Sequence, residues 1–310
     1  VKPRPRNPAL PGTSRDRTGT AGILRRALAE IRKRYAGLQR DVMAIFDGIR
    51  TLQANDAGSL PRTIYALTPE EMASVSYALR QALDRWIASG REAAHAFWYS
   101  AYLDEASQLG AAQAVANLTN LSSIYAAART LRDVVFSEAY RNRVAMAQIK
   151  SYEHWTGLSA GMKSELSQII GRAVVDGKNP RAVRTELAER LGVSRAKAAQ
   201  YAQTDITDTL RQTRLAEDEH AEVSLGIVTA ELWTSAFLPT TRPWHASRSG
   251  KAYTREEVRD FYGRDGNRYN CHCSITSCLL DENGEPILSD TLKADMRKER
   301  EVWERENAPS

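Results

Sequence analysis

Apolar residues recur every three to four positions over most of this chain, and that periodicity commits it to helices before any other feature is considered. Ile23, Leu28, Ile31, Tyr35, Leu38, Val42, Phe46 and Ile49 step along one face, with Arg25, Arg32, Lys33 and Arg40 opposite, so a long amphipathic helix is expected over 23–50. Residues 53–61, holding Asn55, Gly58 and Pro61, read as a loop. Thr68-Pro69-Glu70-Glu71 carries a helix cap, a proline at the first helical position and a glutamate that can close a capping box, which opens a helix to about Ala88. Another helix is expected after Gly90, with His95, Phe97, Trp98, Tyr99 and Tyr102, and helical pattern resumes over 122–154.

A second helical set follows. Leu158, Met162, Leu166, Ile169, Ile170 and Ala173 mark one face of a helix ending near Gly177, and Asn179-Pro180 opens the next, with Val183, Leu187 and Leu191 inward. Gly192 is expected to stop it, and Ser194 to cap a longer helix through Ala198, Ala202, Ile206 and Leu210 to about His220, whose small inner face implies close packing. Beyond Gly226 the texture changes. Residues 226–237 read as a strand, 238–250 as a loop, Thr254 to Tyr262 as a capped short helix, 269–274 as a short strand, 281–284 as a tight turn and 290–306 as a charged helix. The expected class is mainly α, an elongated helical N-terminal body followed by a small α+β C-terminal module. Its divisions are a basic proline-rich arm over 1–22, a helical body over 23–157, a helical hairpin region over 158–225 and the module over 226–310.

With 42% apolar and 26% charged residues the chain can bury real cores, which excludes a collagen-like or wholly disordered polymer. No run of eighteen apolar residues and no apolar leader is present, so neither a spanning helix nor a secretory signal is expected. All three cysteines fall between 271 and 278, which disfavours a disulfide framework and fits a reducing compartment. Residues 1–62 carry thirteen Lys and Arg against five Asp and Glu, whereas the remainder has thirty against thirty-three. The arm, with Lys2, Arg4, Arg6, Arg15 and Arg17, is therefore the place where nucleic acid or an acidic protein surface would be met, set against the plainer reading of a solubilising tail.

The sharpest chemical constellation is Asn270-Cys271-His272-Cys273, with Cys278 downstream and His245 upstream. In extended backbone Cys271 and Cys273 project to one side, and with His245 and Cys278 they form a four-ligand set suited to a structural zinc ion. Buried thiols packing as small apolar groups are the alternative. Residues 183–200 are written like a helix-turn-helix, but 178–222 carries eight basic and eight acidic residues, a poor balance for neutralising phosphates. His154 and His220 are placed near helix C-termini, where an imidazolium suits the dipole. No nucleophile elbow, phosphate loop, dinucleotide fingerprint or His-Glu-x-x-His pair is present, and no catalytic residue is assigned.

Read in order, Ala202-Gln203-Thr204-Asp205, Trp233, Arg242-Pro243-Trp244-His245, Gly250 and Asn270-Cys271-His272-Cys273 resemble the phage Mu F-like head morphogenesis family over about 160–285. The pattern departs from the family at Gln203, Asp205, Leu238-Pro239, Ser249 and His272. The resemblance implies a non-enzymatic minor capsid protein of a tailed phage, made in the host cytoplasm and carried in the virion, inside the head and on the portal protein. Contact with the major capsid or scaffold protein, contact with packaged double-stranded DNA, and ejection with that DNA are further implications. No membrane is involved in the mature head, and the end at Ser310 leaves no room for a fused toxin domain. Trp233, Arg242, Gly250 and Asn270 are implied to be structural. Two other readings stand beside it: a metal-dependent enzyme acting on nucleic acid through the His/Cys cluster, and a helix-turn-helix DNA-binding protein.

Overall fold

The structure is a computed structural model, and it describes residues 6–54, 62–89 and 96–307. Lys2, Arg4 and His95 lie outside the described residues, as do Asn55, Gly58 and Pro61 of the expected loop. The chain is mainly helical with a small antiparallel sheet toward its C-terminus, as the periodicity and its change at Gly226 imply. It divides into two compact units. One comprises Val1–Arg25, Ala101–Ala147 and Gln203–Ser310, and the other Arg26–Ser100 and Gln148–Ala202. Among the described residues, no helix is long and apolar enough to cross a membrane.

In the second unit, helix α1 (Ala21–Asp47) buries Ile31, Tyr35, Leu38, Val42 and Phe46, the stripe its spacing requires. Strands β1 (Thr51–Ala54) and β2 (Arg62–Tyr65) pair antiparallel, so the first two residues of the expected loop are strand. The ribbon is held from outside: the Thr63 amide donates to Gly177 O at 3.2 Å and the Tyr65 hydroxyl to Lys178 O at 2.7 Å. Helix α2 (Pro69–Trp86) begins with the expected capping box between Thr68 and Glu71. Phe97, Trp98, Tyr99, Tyr152 and Trp155 form an aromatic cluster of edge-to-face and tilted contacts, with Arg34 over the Trp98 ring at 4.2 Å.

Two expected breaks are absent. Helix α6 (Glu138–Asp176) passes straight through 154–158, and α7 (Pro180–Leu225) passes straight through Gly192 and Ser194. A glycine costs a helix only about 1 kcal/mol. Here Val183, Leu187, Leu191, Ala198 and Ala202 continue one fully or nearly buried stripe across the site, and Ser194 turns inward to the Tyr35 hydroxyl at 3.1 Å instead of capping. The helix-turn-helix reading fails on this uninterrupted helix. His154 consequently sits within α6, stacked on Tyr201, and not at a C-terminus.

In the first unit, the expected helix over 122–154 begins as α4 (Ser123–Ala128) and α5 (Leu131–Val135), each opened by its own cap, Ser122 and Thr130, before α6 begins. Helix α3 (Ser100–Leu121) approaches α7 closely: a Cβ on Gly110 would lie 2.7 Å from Leu210 O. The sheet has the order β4-β3-β5, all antiparallel, from β3 (Thr229–Thr234), β4 (Ala252–Tyr253) and β5 (Ser274–Leu279). Strand β3 is shorter than the expected 226–237 at both ends, and past it Phe237 takes φ 51° and its ring packs on Trp303. The expected strand at 269 begins only at Ser274, and the 238–250 loop holds a one-turn helix, α8 (Pro243–Ala246). Helix α9 (Arg255–Gly263) has its Thr254/Glu257 capping box, the Asp281 turn closes with Gly284 at φ 79°, and α10 (Asp290–Glu306) starts at Ser289.

Candidate functional site

Trp233 organises the module. It is fully buried on β3, stacks on Tyr262 at 5.3 Å and meets Phe261 and His245 edge-on. Its amide and carbonyl pair with Lys251 O and the Gly250 amide, and Gly250 makes that turn at φ 80°, where a side chain would be strained. Two residues on, Ser235 accepts from Trp233 Nε1 at 3.1 Å and donates to His245 O at 2.5 Å, fixing α8 against the strand. Arg242 locks the other side, donating to Asn267 O at 3.2 Å, Tyr269 O at 2.9 Å and His245 Nε2 at 3.3 Å. Asn270, at φ 53° and with its amide held by Thr204 Oγ1 at 3.0 Å, turns the chain so that Cys271 enters the core.

These constraints bring His245, Cys271 and Cys273 together. His245 Nδ1 lies 3.5 Å from Cys271 Sγ and 3.9 Å from Cys273 Sγ, and all three residues are buried. With Arg242 donating to Nε2, the ring proton belongs on Nδ1, facing the sulfurs. The hydrogen bond between the two thiols lowers Cys271 well below its ordinary pKa and raises Cys273 well above it; His245 and Arg211 add to the first shift, burial to the second. The Tyr262 hydroxyl contacts Cys271 Sγ at 3.5 Å, and Arg211 lies 3.6 Å over the Tyr262 ring. A cavity of about 60 Å³ borders the cluster, lined by Thr240, Thr241, Arg242, His245, Asn270, Cys271, His272 and Cys273.

Cys278 does not join them. It belongs to a different core cluster with Leu232, Leu288 and Met296, donates to Ala230 O at 3.4 Å, and burial pushes its thiol up to about 12. Of the four residues expected to converge, His245, Cys271 and Cys273 do and Cys278 does not: it lies beyond the turn of chain that aims Cys271 and Cys273 inward, and faces the other core.

A second polar centre lies beside this one, and the sequence reading missed it. Thr204, Thr207, Arg211, Arg214 and Asp218 form a buried polar stripe on α7 at three- and four-residue spacing. Arg214 donates to Ser274 Oγ and Thr276 Oγ1 at 3.0 and 2.8 Å, and Ser277 donates to Asp218 at 2.7 Å. Burial lifts Asp218 to about 6, and burial followed by the Asp218 charge lifts Glu231 well above the carboxylate range. Neither oxygen of Glu231 finds a hydrogen-bond partner among the described residues. The stripe could have been read from its spacing, but polar residues at helical spacing ordinarily indicate a solvated face. His220 differs from expectation too: partial burial and then Arg129 hold its pKa below the ordinary value, against an imidazolium at the helix end.

The basic arm is laid down over its described part. Asn7 and Ser289 exchange hydrogen bonds at 2.9 and 2.8 Å, Arg6 donates to Leu121 O at 3.3 Å, and the Ala9 amide donates to Asn117 at 2.8 Å. Arg17 pairs with Glu299 at 2.7 Å, and Asp16 caps α1 through the Ala21 amide at 2.9 Å. Of the expected nucleic-acid or capsid contacts, Arg6 and Arg17 therefore have partners within the chain, while Arg15 is exposed.

Residues 164–276 match the family model described as "Phage Mu protein F like protein". That span takes in Trp233, Arg242, His245, Gly250, Asn270, Cys271 and Cys273, and it ends within β5. No curated protein and no solved structure matches the chain.

Proposed function

Taking the Mu F-like match over 164–276 as premise, we propose that this protein is a minor head protein of a tailed bacteriophage, seated at the portal vertex inside the head. The reading is of a structural part and not an enzyme. What carries it is that the matched span takes in Trp233, Arg242, Gly250 and Asn270, each of which performs a task that holds the C-terminal part of the chain in shape. The first unit also exposes large apolar side chains at Ile124, Phe136 and Met146, each more than 60% accessible, on the segment following α3. In this proposal they are the points at which a partner protein is met.

Contact with the portal protein through those residues, with capsid or scaffold protein, and with packaged double-stranded DNA through Arg15 belongs to the same proposal. Coexpression of the full chain with its cognate portal protein, tagged on the portal, tests it. Coelution at fixed stoichiometry and presence in purified particles are expected. A free monomer that is absent from particles contradicts it.

A further inference from the structure

We infer that His245, Cys271 and Cys273 form a binding site for one Zn²⁺-class divalent cation, with three protein ligands and a fourth position facing the cavity lined by Thr240, Thr241 and His272. Imidazole nitrogen and thiolate sulfur are the donors such an ion prefers. Bond lengths of about 2.0–2.3 Å at tetrahedral angles put neighbouring N and S ligands about 3.5 Å apart. The structure has His245 Nδ1 at 3.5 and 3.9 Å from the two sulfurs, with all three donor atoms within 4.8 Å of one another.

The donors are also held in place from behind. Ser235 fixes the His245 backbone, the left-handed Asn270 turns Cys271 inward, and Arg242 ties the 267–269 segment to α8. Such outer contacts are what keep a metal site preformed. Two thiolates match the charge of a divalent ion, so loading leaves no net charge on the ligand set. A cavity of about 60 Å³ is roomy enough for a water at the fourth position. Cys278 is not a ligand.

Loading requires the ring proton on Nε2 and both sulfurs ionised, so uptake releases protons to solvent. It also ends the donation from Arg242 to Nε2, the longest of that residue's three contacts, and leaves its two carbonyl partners.

The inference stands apart from the portal assignment, because metal uptake reads the site alone. The full chain, purified reduced, is analysed for zinc and titrated with Co²⁺ while sulfur-to-cobalt charge-transfer absorption is followed. One equivalent of zinc, thiolate absorption with Co²⁺ and a lowered Tm after chelation are expected. Cys273→Ser and His245→Gln should weaken uptake by about 10-fold or more, and Cys278→Ser should retain the full equivalent. A wild-type chain that takes up neither ion overturns the inference, leaving a hydrogen-bonded triad. Equal loss of metal in Cys278→Ser and Cys273→Ser overturns the ligand assignment.

Discussion

Asn117 of α3 donates to both the carbonyl and the hydroxyl of Ser277 on β5, at 2.8 and 2.9 Å, and the same side chain accepts from the Ala9 amide. One buried amide thus joins the N-terminal segment, a helix and the sheet. Asn117→Ala would strand Ser277 O and the Ala9 amide, and should cost about 1–3 kcal/mol. Amide exchange should accelerate over residues 6–20 more than over β5. Unchanged exchange in the N-terminal segment would contradict this linkage.

The Asp218/Glu231 pair makes the first unit sensitive to pH. Both carboxyls have folded pKa values above their ordinary ones, so the folded chain holds protons that the unfolded chain releases. Their contribution is full below the ordinary carboxylate range, and it is lost as pH rises through about 6 for Asp218 and through a higher value for Glu231. Each retained proton costs up to about 1.4 kcal/mol per pH unit. Glu231→Gln should therefore raise Tm at about pH 8 relative to about pH 5 and flatten the profile between them. A profile as steep as that of the wild type would show that Glu231 is not the group responsible.

Gly110 tests the packing of α3 on α7. Substitution by alanine gains about 1 kcal/mol in helix propensity. The added methyl would meet Leu210 O at 2.7 Å, a rigid backbone atom, and overpacking of that kind costs about 1–3 kcal/mol. Net destabilisation in denaturant titration is expected. A more stable Gly110→Ala variant would mean that the helices can move apart at no cost.

Phe136 and Met146 test the proposed docking surface. The paired changes Phe136→Glu and Met146→Glu, at positions 67% and 64% exposed, should leave stability within about 0.5 kcal/mol. Copurification with portal protein should be lost. Retained copurification at wild-type stoichiometry would move the interface elsewhere on the chain.

Much of the helical fold was legible because its stripes were long: the α1 stripe and the Thr68 and Thr254 capping boxes read directly into structure. Local punctuation was less informative. Gly192-Val193-Ser194 has every mark of a turn, yet a continuous buried stripe on either side keeps α7 helical. The ordered segments from Trp233 to Cys273 identified the site, and His245, Cys271 and Cys273 do converge. Ser235, Tyr262 and Arg211 were not legible as partners, since their contacts with the cluster join residues from α7, α9 and the segment just after β3 that no local spacing connects. Cys278 was misassigned because nearness in sequence says nothing about which side of β5 a thiol faces.

The central claim is tested most directly by a reconstruction of the assembled phage head, without imposed symmetry, at a resolution that shows side chains. The account predicts density for the Trp233–His245–Cys271 knot at the portal vertex, with Phe136 and Met146 buried against portal subunits. Particles that assemble and package DNA with no density for this chain at that vertex would contradict it.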